Sequence, residues 1–311
     1  MPKKRVEDFS REEIFQMGDN AWKVGDYDEA RKNYLKASKL YHEVEDFEGM
    51  AIVELRAADL ELSLDNYEKA EKSIKFAISF VENLDYAQAT YLELLLKMAK
   101  VKLRSENNGE AFLYVGKAIK ASKSAGNWDL MGEAYDLEAN IYLSEDNEQK
   151  ALGAYKNAAK AYGKSGVTLK EAAILRTIAR IEMKNKNYDY AHDVLEKCRD
   201  LYRENGDLLG EASALSAIGS LRYIIRDIEN ARKALMKSVY LYGKVSHQFA
   251  EAEALLYLAR VESSDKEKGD FERAKAHYKR SIELFGFVGN EVMKEAVLKE
   301  YQVFLKKIKK A

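Results

Sequence analysis

Four histidines, His42, His192, His247 and His277, and a single cysteine, Cys198, are the side chains of this 311-residue chain with the widest reactive repertoire. A metal site needs several such ligands converging at short spacings, as when two histidines stand one helical turn apart with a glutamate between them. Here the histidines are 150, 55 and 30 residues apart and no H-E-x-x-H pattern occurs, so they read as scattered surface residues. A thiol nucleophile needs a base beside it and an electropositive setting. Cys198 instead occupies a position that equivalent segments of the chain fill with alanine or serine, and packing accounts for it. Asp and Glu total 52, but they follow helical surface patterns, often three or four residues from Lys or Arg, as solvated faces do. No glycine-rich turn follows a strand to cradle a phosphate. The expectation is a protein with no catalytic residue, no cofactor and no metal, hence not an enzyme.

The elements that carry these residues follow from composition and punctuation. Lys and Arg number 51, which leaves a net charge of -1 and no global field to attract nucleic acid or an anionic membrane. A lone cysteine excludes an intramolecular disulfide and fits a reducing compartment. The basic start, Met1 to Asp8, has no apolar stretch behind it, and no run approaches the ~18 apolar residues of a membrane span. A soluble cytoplasmic protein is expected. Pro2 is the one proline, so long helices are permitted throughout. Gly126, Gly166 and Gly206, spaced 40 apart, mark helix stops. Ser10 with Glu13 reads as a capping box that starts the first helix.

A short motif, an aromatic or small residue, two polar residues and then alanine, recurs seven times along the chain. Its alanines are Ala30, Ala70, Ala111, Ala151, Ala191, Ala231 and Ala274, at spacings of 40, 41, 40, 40, 40 and 43. Seven residues after each stands a second small side chain: Ala37, Ala77, Ala118, Ala158, Cys198, Ser238 and Ser281. Seven residues is two helical turns, so each pair shares a stripe where helix backbones must approach closely. Twelve residues before the repeat alanine a third small residue recurs as Gly18, Ala58, Ala99, Ala139, Ala179 and Gly219, with Ala259 following after a three-residue insertion. Each unit is therefore predicted to be two antiparallel helices of roughly 16 to 19 residues, and a fixed period in this range marks a stacked helical array.

The stretch from Met17 to Ala30, with Gly18, Ala21, Trp22, Gly25, Tyr27 and Ala30, resembles the tetratricopeptide repeat core, and the resemblance extends over about residues 10 to 309. The period of 40 in place of 34 and the missing terminal proline are similar to the long-helix repeats of kinesin light chains, spindle-orientation adaptors and MalT-type regulators; soluble NSF attachment proteins are a more distant likeness. The resemblance implies an all-α, right-handed α-α superhelix of seven helix-turn-helix units and a C-terminal capping helix. The corresponding divisions are a flexible N-terminus at 1–9, units at 10–45, 46–84, 85–126, 127–166, 167–206, 207–246 and 247–288, and a cap with a basic tail at 289–311. The segment from Ser263 to Asp270 is expected to be a polar loop or helix extension.

In that family the first helix of every unit lines a concave groove. Carrying the groove positions across implies a partner-binding surface of Asp19, Lys23, Asp59, Lys100, Arg104, Asn140, Arg176, Arg180, Lys184, Ser220 and Arg260. Lys100 with Arg104, and Arg176 with Arg180 and Lys184, repeat a positive charge every turn, which nearby carboxylates either neutralise or leave as a basic strip for an acidic segment. The family's carboxylate clamp for chaperone tails retains only Asn140 of its asparagines and is disfavoured. The implied function is a scaffold or adaptor that binds a peptide or helical segment of a partner protein. A regulatory domain sensing a peptide or ligand is the alternative, and the balanced charge disfavours nucleic acid.

Overall fold

The computed structural model describes residues 9–264 and 270–309. Residues 1–8, the insertion at 265–269 and the last two residues lie outside them. The described residues form fifteen α-helices and one 3-10 turn, Asp85–Ala87, with no strand. Two compact units divide the chain, Met1–Ser165 and Gly166–Ala311. The N-terminal half holds α1 (Arg11–Lys23), α2 (Tyr27–Glu43), α3 (Phe47–Ser63), α4 (Tyr67–Val81), α5 (Gln88–Arg104), α6 (Asn108–Ala125), α7 (Trp128–Ser144) and α8 (Glu148–Ser165). The C-terminal half holds α9 (Thr168–Lys184), α10 (Tyr188–Glu204), α11 (Leu208–Ile224), α12 (Ile228–Lys244), α13 (Gln248–Ser264), α14 (Phe271–Phe287) and α15 (Glu291–Ile308). Successive helices pair as hairpins, and within each half every hairpin packs on the next.

One device makes most of the turns between helices. A residue in the left-handed region is followed by an Asp or Asn at the start of the next helix; α4 ends without one, and Val167 and His247 take the Asp/Asn place before α9 and α13. Gly25 (φ 82°) precedes Asp26, whose carboxylate accepts from the Glu29 amide at 3.2 Å. At Glu45, Asp65, Glu106, Lys186 and Arg226 the same conformation is taken by non-glycine residues, each costing on the order of 1 kcal/mol. The amide of the capping residue also bonds back five residues, as from Asp26 to the Ala21 carbonyl at 2.9 Å, which satisfies a helix-end acceptor and offsets that strain. At the chain's first helix Ser10 and Glu13 complete the reciprocal capping box.

Small residues bring the helices together. The seven repeat alanines are all fully buried, as are Ala37, Ala77, Ala118 and Ala158. Where the second small slot is polar its donor reaches a first-helix carbonyl: Cys198 Sγ to Ala172 at 3.2 Å, Ser238 Oγ to Ala212 at 2.8 Å, and Ser281 Oγ to Ala252 at 2.7 Å. A methyl added at Gly18 would fall 2.6 Å from the Tyr34 ring, and at Gly219 2.5 Å from Leu235. The crossing leaves no room for even one more carbon there.

In five of the seven units the residue after the repeat alanine meets the first helix of the following hairpin. Arg31 Nε lies 2.6 Å from Glu61, and Lys102 Nζ lies 2.8 Å from Glu71, with the signs exchanged. Phe112 packs on Tyr142 with ring centroids 4.9 Å apart, Arg222 donates to His192 Nε2 at 2.6 Å, and Arg232 Nε lies 3.0 Å from Glu262. Glu61 and Glu262 are buried, so they are not the solvated carboxylates that the sequence pattern implied. Removing one partner of such a pair leaves a desolvated charge. Arg232→Met should therefore destabilise the C-terminal half by about 3 to 5 kcal/mol, and adding Glu262→Leu should restore most of the loss, as read by urea unfolding.

Candidate partner-binding faces

First helices of neighbouring hairpins touch one another, α3 with α5 and α5 with α7 in the N-terminal half, α11 with α13 in the C-terminal half. Their exposed residues share a face within each half. In the N-terminal half this face holds a cavity of about 540 Å³ lined from α1, α3, α5 and α7 by Trp22, Asp59, Ser63, Lys97, Lys100, Arg104 and Asn140, among others. Four of the implied groove residues, Asp59, Lys100, Arg104 and Asn140, are thus brought together.

Their charges are largely matched. Asp59 forms an ion pair with Lys97, and Lys100 Nζ stands 2.6 Å from Glu133. Arg104 reaches the Leu62 carbonyl at 3.4 Å. Asn140 accepts from the Tyr155 hydroxyl at 3.0 Å, and burial pushes the neighbouring Asp136 carboxyl above its ordinary range. Asp19 does not line this cavity; it accepts from the Tyr34 hydroxyl at 2.7 Å and faces Arg56 at 3.7 Å. Lys23 lies exposed in the last turn of α1.

The C-terminal half presents a different surface. A cavity of about 440 Å³ is lined by Arg176, Thr177, Arg180 and Met183 of α9, Leu195 of α10, and Ser213, Ala217 and Ser220 of α11. Arg176 donates to Ser213 Oγ at 2.6 Å, and Ser220 donates to the Ala217 carbonyl at 2.9 Å. Among the described residues no carboxylate stands within ion-pair distance of Arg176 or Arg180. Lys184 is exposed one turn beyond the cavity lining. Arg260 is engaged elsewhere: Glu300 of α15 accepts from it twice, at 2.8 and 2.7 Å, and takes the Tyr278 hydroxyl at 2.9 Å.

Sequence spacing missed Trp22, Lys97, Glu133 and Ser213, which lie on or beside these faces. Their signal was available, since Glu133 and Ser213 sit near the start of first helices where the neighbouring hairpin's groove residues end. The histidines also depart from a simple surface assignment. His42 and His247 are exposed, but His192 has a buried Nδ1, and burial lowers His277 below the ordinary histidine range. Among the described residues no group of three or more His, Cys, Asp or Glu is placed to hold a metal ion, and no helix is long and apolar enough to cross a membrane. Burial pushes the Cys198 thiol up to about 12.

Set against known proteins, residues 14–42 match the tetratricopeptide repeat family model. No curated relative matches the chain by sequence. Among solved structures the chain is similar to BtubC (BKLC) from P. vanneervenii, at 18% identity over 72% of this chain and 92% of that one, with a TM-score of 0.59. It is similar to a signal transduction ATPase with numerous domains that carries a tetratricopeptide repeat sensor, from Pyrococcus horikoshii, at 16% identity over 96% of this chain, with a TM-score of 0.60. This chain spans about half of that protein, 48%. Aspartyl phosphate phosphatase F from Bacillus subtilis matches at 15% identity over 87% of this chain and 69% of that chain, TM-score 0.59. At these identities the likeness is one of fold. The hairpins are folded in the tetratricopeptide manner, as their small-residue stripes implied.

Two measurements test the site chemistry. Native protein at neutral pH should leave Cys198 unmodified by a disulfide reagent for as long as the fold persists, with labelling appearing only on unfolding. The Arg260 hydrogen bonds hold the Glu300 carboxyl below the ordinary carboxylate range. The folded state thus gives up this proton more readily than the unfolded chain. The pair's contribution is complete above about pH 4.3 and is lost as pH falls through the lower folded value. Melting temperatures of wild type and Glu300→Gln should converge as the solution is acidified from neutral; parallel curves would remove the pair from the pH response.

Proposed function

We propose that the protein is a non-enzymatic scaffold or adaptor that captures an acidic segment of a partner protein on its first-helix face, with the α9–α11 cavity as the anchoring point. The observation that carries this reading is the pair Arg176 and Arg180, one turn apart on α9 and lining one cavity without a carboxylate partner. Like charges at this interval are mildly unfavourable in an isolated helix, and among the described residues no carboxylate offsets them. Arginine's planar fork is suited to bidentate contact with a carboxylate, which fixes both position and orientation. Thr177, Ser213 and Ser220 add hydroxyl groups around the same cavity, and Met183 and Leu195 supply apolar wall.

The face in the N-terminal half fits a secondary, mixed role. Its lysines at 97 and 100 already have carboxylate partners, so a ligand there would gain from Trp22, Leu62 and Leu137 as much as from charge. The buried free thiol suits a reducing compartment, and we place the protein in the cytoplasm.

A fluorescent peptide rich in Asp and Glu provides the test. Arg176→Glu with Arg180→Glu should weaken its binding at least ~10-fold, equivalent to about 1.4 kcal/mol or more, with helicity unchanged, whereas Lys100→Glu should have a smaller effect. Equal affinity for wild type and the double variant would end the proposal.

A further inference from the structure

Glu54 occupies a position that the other hairpins keep apolar. Sixteen residues before the repeat alanine the chain places Ile14, Leu95, Tyr135, Leu175 and Leu215, with Leu255 at the same place once the insertion is allowed for. In the second hairpin it places a glutamate, and α3 buries it to 8% exposure. Facing it, Ser38 of α2, 3% exposed, stands where Ile78, Ile119, Ala159, Val239 and Ile282 stand in five other hairpins; the remaining one has Arg199, which pairs with Glu196 and Asp200 of its own helix. Ser38 Oγ donates to Glu54 Oε1 at 2.7 Å. An aliphatic contact between hairpins has thus been replaced by a hydroxyl and a carboxylate.

The replacement opens the interface. Glu54 and Ser38 lie on a cavity of about 550 Å³ between α2, α3 and α4, on the second-helix side of the N-terminal half, away from the groove face. Its walls include Leu35 and Phe76, 58% and 45% exposed. Lys39 and Lys72 stand exposed at the rim, where long stems let their ammonium groups remain in water. Neither is within ion-pair distance of Glu54, which has no basic partner among the described residues.

That sets Glu54 apart from four other buried glutamates. Glu61 meets Arg31, Glu171 meets Lys197 at 2.5 Å, Glu211 meets Lys237 at 2.6 Å, and Glu262 meets Arg232. Glu182 accepts from Asn187 at 2.7 Å. A carboxylate taken from water is costly unless a cation and hydrogen bonds compensate it, and the chain supplies the cation in four places but not here. An apolar-walled cavity with an uncompensated carboxylate at its floor is complementary to an apolar stem that ends in a cation.

We propose that this cavity is a second binding site, which takes an arginine or lysine side chain from a basic-apolar segment of a partner protein, the cation on Glu54 and the flanking apolar side chains on Leu35 and Phe76. With both sites occupied, one chain would hold an acidic segment and a basic one at once. The site does not depend on the Arg176 and Arg180 reading.

The probes are a capped leucyl-arginyl-phenylalanine peptide, its citrulline counterpart of equal size without the charge, and n-hexylammonium, each titrated into the full chain while the Leu35 methyl and Phe76 and Ser73 amide resonances are followed. The arginine peptide should shift these signals and bind at least about tenfold tighter than the citrulline peptide. Glu54→Leu restores the aliphatic residue of the other hairpins and should abolish the response with an unchanged or higher melting temperature. Glu54→Gln, which keeps the shape, should also lose the tenfold preference and carries the test if the leucine variant misfolds. Equal binding of the two peptides, no binding of either, or a response retained in both variants would overturn the site. Binding of n-hexylammonium as tight as the arginine peptide would overturn the protein partner in favour of a small amine.

Discussion

Close approach of two helix backbones at a stripe of small residues is the constraint from which the rest follows. A repeat alanine with no exposed surface, a second small side chain two turns later and a glycine or alanine on the facing helix leave no volume for an additional carbon. Once the crossing is that tight, the hairpin turn must be short, and a left-handed residue followed by an Asx cap is the shortest way to end one helix and begin another. Among the described residues seven non-glycine side chains accept the left-handed conformation in these turns, six of them just before an Asp or Asn. Strain in a turn is tolerated because the packing it permits is repeated in every hairpin and is worth far more than about 1 kcal/mol per turn.

The same crossing decides which residues are free for a partner. First helices of neighbouring hairpins touch, so their outward residues converge on one face, while second helices present separate ridges. Convergence alone does not make a binding surface. In the N-terminal half convergent charges answer one another, Asp59 with Lys97 and Lys100 with Glu133, and the face is close to internally neutral. In the C-terminal half Arg260 is drawn to α15 by Glu300, while Arg176 and Arg180 face a cavity with no counter-charge among the described residues. Charge that the fold has left unanswered, and not charge itself, separates the two faces.

The stacked hairpins were legible because close packing admits very few side chains. An alanine at a period of 40 can be seen in a single sequence, as can the small residues twelve before and seven after it. Ser10 with Glu13 and the glycines at 126, 166 and 206 were legible for a similar reason, since each reports a local backbone requirement. Less could be read of the charges. Glu61, Glu171, Glu211 and Glu262 carry no mark in the sequence that separates them from the many surface carboxylates, yet they are buried and their partners come from other helices, about thirty residues away in Arg31 and Arg232. Exchange of sign between Arg31–Glu61 and Glu71–Lys102, and its replacement by Phe112–Tyr142, forms a pattern only when the two positions are known to touch. The same holds for the candidate faces, where the family's groove positions give a list of residues but not which are paired.

Polar residues in apolar slots sharpen the distinction between a structural and a functional departure from the repeat. Cys198, Ser238 and Ser281 replace alanine in the tightest slot, and each donor finds a backbone carbonyl of the facing helix. The replacement costs nothing that is not recovered within the fold, and the Cys198 thiol is correspondingly held far from its reactive form. Ser38 and Glu54 also replace apolar residues, but the hydroxyl satisfies only part of the carboxylate, and the space around them is open. A repeat protein offers many equivalent positions against which one residue can be judged. Where a buried polar side chain finds its partner inside the array, the fold explains it. Where it does not, the missing partner has a definite charge, size and direction of approach, and these describe what must come from outside.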